Sequence, residues 1–263
     1  MRSSRAYEEE YKVAGLGQVI QKGEGEVYTY DTPLSGAVIR YTHLTYALAF
    51  RITREMLEDD LYGVMNKMSS ELAKSAAYNK DVQATSILNN AFNNAYTGFD
   101  GLELCSDVHV NLGGGTQANK AATDVDLDLP ALQAAVETFE SWTDDRGFKL
   151  DYAGKMLLHN VGDIWTSGEI LGSEFIPTSA DNAINVIKTK YNITPHLLKH
   201  LTDADAWFLV GDKSDHDMKM WLRVDDEFDN DDDPNNGDAI FSTRHRLSTG
   251  HGDWRGIYGS SGN

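Results

Sequence analysis

The sequence predicts an α+β chain whose longest helix and longest β-excursion both exceed what a compact body of 263 residues needs. Three observations carry that prediction. Residues 15–50 alternate in polarity and are rich in β-branched and aromatic side chains. Residues 53–94 place apolar side chains at spacings of three and four, with no proline between Pro33 and Pro130. Beyond residue 150, short apolar runs recur between turn residues. A chain of this length suits one large domain or two small ones, burying roughly 70–75% of its unfolded surface.

The elements follow in order. Residues 1–14 read as a short charged arm. Val27, Tyr28, Tyr30, Val38, Ile39, Tyr41, Leu44 and Tyr46 suit strands, with turns at "KGEGE" and "DTPLSG", so residues 15–50 read as a long β-hairpin. A lone hairpin is marginal in water, so this one needs a partner outside its own core. Thr53 caps the helix, acidic residues fill its first turns, and Leu57, Leu61, Val64, Met65, Met68, Leu72 and Ala76 form its stripe. Run to about Asn94 it would be a rod of ~60 Å, with Gly63 and "YNKD" as its weak points. Pro130 opens a second helix carrying Leu132, Val136, Phe139 and Trp142, with Gly147 beyond its end. "KMLLHN" reads as a strand and "VGDIWTSGEIL" as a short helix. "AINVIKTKYN", "AWFLVGD", "MKMWLRV" and "AIFSTRHRL" read as strands, the last two separated by the acidic "DDEFDNDDDPNNGD".

Composition narrows function. The net charge is -18, from 23 basic against 41 acidic residues, and no Lys/Arg cluster breaks the pattern. Sequence-specific nucleic-acid binding is excluded on that ground. No apolar run is long enough to cross a bilayer, and the opening "MRSSRAYEEEYKV" is not a secretion signal. One cysteine allows no internal disulfide.

Several stretches invite a chemical reading and fail it. Cys105, Asp107 and His109 would share one face of a strand, but the nearby carboxylate opposes thiolate formation. "NLGGGTQANK" lacks the glycine before its lysine, Lys120, that a phosphate loop requires, and reads as a flexible surface loop. His196 and His200 in "HLLKH" have helical i,i+4 spacing, but Leu197 stands where a metalloprotease carries Glu, and no third ligand is identifiable. "DNDDDPNNGD" fails calcium-loop spacing: counted from Asp232, position three is Pro234 and position twelve is Thr243. Residues 225–238 therefore read as a solvated acidic loop. The expectation is a non-enzyme with no catalytic, cofactor-binding or metal residues and no cofactor. Its overlong features would bury their apolar faces against copies of the same chain.

Five stretches, in this order and spacing, carry a resemblance: "FRITREMLEDDLYGVM", "ILNNAFNNAYTGFDGLELCSDVH", "GGGTQANK", "ADNAINVIKTKYNITPHLL" and "DAWFLVGDK". Together they resemble the major head proteins of tailed phages, most closely the Mu-like prophage major head subunit family. The resemblance runs from about Gly15 to Trp254 and implies a Hong Kong 97-type capsid fold. Residues 1–14 would then be the N-terminal arm and 15–50 the extended loop lying across a neighbouring subunit. Residues 51–130 would form the peripheral domain with its spine helix, 131–222 the axial domain and 223–250 the return strands, leaving 251–263 as a C-terminal segment. The implied function is a virion shell of pentamers and hexamers enclosing double-stranded DNA, assembled in the bacterial host cytoplasm. Implied partners are a portal protein, a decoration protein and DNA contacted non-specifically, with no membrane. Two competing readings are an encapsulin-like nanocompartment shell and a metal-dependent hydrolase centred on His196 and His200. Only about fourteen residues precede Gly15, a helix of at most ~20 Å. With residue 1 as the start, a separate scaffolding protein is expected. Some relatives link a loop lysine to a neighbour's asparagine. Lys22 is the one candidate for such a link, and none is expected, because the reaction needs a desolvated lysine beside an acid.

Overall fold

The computed structural model describes residues 1–59, 63–176 and 183–262. Its strands are β1 (Tyr7–Ala14), β2 (Leu34–Thr42), β3 (Leu44–Ile52), β4 (His109–Val110), β5 (Thr116–Gln117), β6 (Met156–His159), β7 (Thr194–Leu197), β8 (Trp207–Val210), β9 (Met218–Asp232), β10 (Ala239–His251) and β11 (Ile257–Ser260). The helices are α1 (Arg54–Glu58), α2 (Val64–Asn89), α3 (Leu129–Ser141), α4 (Ile164–Gly172) and α5 (Val186–Lys190). The chain divides into two compact units.

The first unit comprises residues 1–9, 40–86 and 219–250. Its sheet has the order β3-β10-β9. β3 and β10 run antiparallel in unbroken register from Ile52 opposite Ala239 to Leu44 opposite Leu247. Phe50 stacks on Phe241 at 5.1 Å, and Tyr46 on His245 at 5.5 Å. Leu72 and Ala76 of α2 are buried, while most of that helix is exposed and polar. Residues 1–3 add a short parallel piece to β9, with the Met1 carbonyl accepting from the Leu222 N–H and the Ser3 N–H donating to the Leu222 carbonyl.

The second unit comprises residues 10–39, 87–218 and 251–263, and holds the large core. Its four-stranded sheet, β11-β8-β6-β7, is antiparallel except for the β6–β7 pair. Asp128 caps α3 by accepting from the Ala131 N–H at 2.7 Å. Leu132, Ala135, Val136 and Phe139 of that helix are buried in the core with Trp142, Trp207 and Phe208.

Several expectations need correction. The single rod over 53–94 is two helices: Gly63 has φ +65°, which a helix does not tolerate, and α2 spans ~39 Å. Leu61 lies outside the described residues. The 15–50 hairpin does not pair with itself. β2 pairs with β1, inside the supposed arm, and β3 pairs with β10. Residues 15–33 hold only a turn at Gly23. "VIKTK" is helical because the buried Asn185 caps it, accepting from the Ile187 N–H at 3.1 Å while its amide donates to the Ile170 and Ser173 carbonyls. The acidic run is mostly strand: β9 extends to Asp232, and only 233–238 form the turn. "HLLKH" is no helix, since His196 lies on β7 and His200 in the following turn.

Phe139→Ala is expected to destabilise the second unit by ~3–5 kcal/mol, because the ring is fully buried. Denaturant unfolding measures this, and a loss under ~1 kcal/mol would contradict the packing described.

Candidate assembly surface

The strongest site-like feature is an exposed apolar surface. In the extension formed by residues 15–33, Val19 and Tyr30 are each 92% exposed and Val27 is 88% exposed. Leu16, Ile20 and Tyr28 are exposed as well. Six such side chains on one excursion exceed the scattered surface hydrophobics of an ordinary monomer. The strand leading into it is inverted in polarity: Tyr7, Tyr11 and Val13 of β1 face outward, while Glu8, Glu10 and Lys12 are half-buried.

The extension is anchored by charge. Lys12 Nζ lies 3.0 Å from Asp145 and 2.9 Å from Asp253. Arg255, itself buried, contacts the same two carboxylates at 3.3 and 3.0 Å, and donates to the Thr143 carbonyl and to Asn111. Burial alone would raise the Asp253 carboxyl, but Arg255 and Lys12 outweigh it and hold it below its ordinary value.

A second node ties the motif residues together. Asn119 is fully buried, and its amide donates to the Leu104 carbonyl at 2.7 Å and the Ile257 carbonyl at 3.0 Å. Its oxygen therefore accepts from the Ser106 N–H and from His109 Nε2. The other ring nitrogen of His109 faces Asp100 at 2.5 Å, and its ring stacks on Trp254 at 4.4 Å. The "DG", His and "GGTQAN" elements of the sequence thus converge on one buried knot. The glycine run is the β4–β5 turn, with Gly114 and Gly115 at positive φ.

The chemical candidates resolve as structure. Only His109 of the Cys105–Asp107–His109 trio lies on a strand; Cys105 and His109 are buried and Asp107 is exposed. Burial pushes the Cys105 thiol well above its ordinary pKa, the opposite of an activated nucleophile. Ser167 and His159 stand 3.0 Å apart, a pair that sequence reading missed, but both are buried and the hydroxyl donates to the Ile164 carbonyl. In the acidic turn, Asp233 accepts from the Asn235 backbone and side chain, which lowers its pKa, and Arg51 lies near Asp233 and Asp238. Among the described residues, no group of three His, Cys, Asp or Glu side chains is arranged to hold a metal ion. Among them also, no helix is long and apolar enough to cross a membrane.

Comparison with known proteins places this arrangement. The family described as "Phage capsid protein" matches residues 36–260. The capsid structure of bacteriophage JBD30 aligns with 98% of this chain at TM-score 0.54 and 12% identity, and the chain spans 61% of that protein's length. The capsid of the native GTA particle aligns at TM-score 0.63 and 12% identity, covering 98% of this chain and 85% of that one. A JBD30 capsid decorated with minor capsid protein trimers aligns at TM-score 0.60 and 12% identity, covering 77% of this chain and 88% of that one. Identity this low speaks for the fold. No curated protein matches by sequence.

Two outcomes are expected. Asn119→Leu should leave the Ser106 N–H, the His109 ring and two carbonyls without their buried partner. At ~1–3 kcal/mol for each orphaned group, thermal unfolding should show a severe loss; a melting point near the parent's would refute the knot's importance. His251 gives a pH dependence. Burial holds its pKa down at about 4, so stability is complete above its unfolded value of ~6.5 and falls as pH drops from there toward 4. The loss at the acid end is ~3 kcal/mol. His251→Leu should flatten that part of the stability–pH curve; an unchanged slope would count against it.

Proposed function

Because the chain belongs to the phage capsid protein family, we propose that its extension is the surface through which copies of it join into the head of a tailed phage. The chain is a viral structural protein and not an enzyme. The observation that carries the assembly reading is the set of six exposed apolar side chains on residues 15–33. Burying such side chains yields ~1.5–3 kcal/mol each, so ~9–18 kcal/mol gross per subunit, reduced by ordering and lost freedom.

The finer reading follows the same line. Within residues 15–50, the stretch 15–33 serves as the extended loop over a neighbour, and α2 serves as the spine of a peripheral domain. Residues 131–222 serve as the axial domain at the centre of pentamers and hexamers. The chain order of the motifs supports a Mu-like head subunit. The enclosed double-stranded DNA meets a strongly acidic chain, which suits contact without sequence preference. A portal, a scaffolding protein and a decoration protein complete the proposed set of partners. The head, built in the bacterial cytoplasm, is the proposed location.

Replacing residues 18–30 with a short Gly-Ser bridge removes five of the six apolar side chains and leaves every described strand and helix in place. The expected product is a folded subunit with parental circular dichroism that forms no particles in electron micrographs. Shells indistinguishable from the parent's would overturn the reading.

A further inference from the structure

Resting on that reading of the extension, we propose that Arg146 is the positioning residue that fixes the direction in which the extension leaves the body. It thereby sets the angle at which neighbouring subunits meet. The two legs of residues 15–33 carry no regular ladder between them. Their feet are instead joined by one guanidinium and by a single bond from the Gly17 N–H to the Asp31 carboxylate. Arg146 Nε donates to the Gly15 carbonyl at 2.9 Å, and Nη2 donates to the Thr32 carbonyl. Nη2 also lies 3.6 Å from Asp31, whose carboxylate accepts from the Gly17 N–H at 2.7 Å. One planar edge of the guanidinium therefore spans both legs. A lysine has no such edge and can serve as a point donor only.

The clamp is itself held firmly. Arg146 sits at the tip of a tight turn in which the Asp144 side chain accepts from the Arg146 and Phe148 N–H groups, each at 2.8 Å. The Asp144 N–H donates to the Phe148 carbonyl, and Gly147 supplies the positive φ of +87° that closes the turn. The neighbouring Asp145 is locked into the ion network with Lys12 and Arg255. The Arg146 side chain is only 16% exposed, so its contacts are not those of a freely solvated surface arginine.

Spin-label distance measurement tests this on the whole chain, independently of assembly. The single native cysteine is buried, so labels at Thr29→Cys and Glu140→Cys report cleanly on the extension and on α3. One narrow distance distribution is expected with Arg146 present. In Arg146→Ala it should widen by roughly twofold as the freed loop behaves as a flexible chain, with Arg146→Lys in between. Asp31→Ala removes the 3.6 Å ion contact and Asp31's own bond from the Gly17 N–H but leaves both carbonyl contacts of Arg146. It should therefore widen the distribution less than Arg146→Ala, while parental circular dichroism guards against a folding defect in Arg146→Ala. In particles, the arginine variant should shift or broaden the diameter distribution relative to the parent. An unchanged distance distribution in Arg146→Ala, or a widening no greater than that in Asp31→Ala, would overturn the clamp. Widened distances with an unchanged particle diameter would overturn its role in assembly geometry. Failure of the parent chain to form any particle would instead defeat the shell-forming reading, while the distance measurement still judges the clamp.

Discussion

The apolar extension depends on the buried and half-buried charges at its root. Lys12, Asp145, Asp253 and Arg255 form a four-member network in which each cation meets both carboxylates. Such a network contributes little net stability over a well-packed apolar cluster of the same volume, yet loss of one member strands the others and costs ~3–5 kcal/mol. That asymmetry makes it an anchor with one geometry. β1 enters the extension through Lys12, and the turn that holds Lys12 through Asp145 places Arg146 in the next position. Two adjacent residues of opposite charge thus secure the strand before the extension and both of its feet.

This anchor explains how six exposed apolar side chains coexist with a folded chain. A two-stranded ribbon in water is marginal by itself. Here the half-buried face of β1 is charged and fixed by ion pairs, while its outward face carries Tyr7, Tyr11 and Val13. The usual order of an amphipathic strand is reversed, because electrostatics holds it in place and leaves the apolar face available.

How much of this was legible in sequence depended on whether the deciding interaction was local. The helix from Pro130 was legible because its cap, proline and apolar stripe lie within a few residues. β8 was legible as a fully buried run. The strand partners of residues 15–50 were not, because β3 pairs with β10 about two hundred residues away and β1 looked like a charged tail. The "VIKTK" helix was missed because its β-branched pattern is overruled by one buried asparagine. The order Asp100, His109, Asn119 could be recognised as a motif, but its physical reason appears only when the three side chains meet. Arg146 gave no signal beyond the turn-like "DDRG", since its targets are backbone carbonyls 131 and 114 residues away.

Charge placement answers a further problem that any self-associating β protein faces. β9 is an edge strand of 15 residues, long enough to recruit unwanted strands. Its first part is covered by residues 1–3, whose pairing is centred on Leu222. The acidic run begins at Asp225, just past that cover, and Asp229, Asp231 and Asp232 are exposed. The edge is thus protected first by hydrogen bonding and then by repulsion. The same carboxylates that disfavour random edge pairing also oppose close packing of copies, since each chain carries a net charge of -18. The gain on association must then come from apolar contact, and residues 15–33 supply it through their six exposed apolar side chains, although they carry one lysine and three carboxylates among nineteen positions. Screening by salt weakens the repulsion between exposed carboxylates beyond a Debye length of ~10 Å and leaves the apolar term intact. Ionic strength therefore acts unequally on the two opposing parts of the proposed self-association, and in the direction that favours assembly.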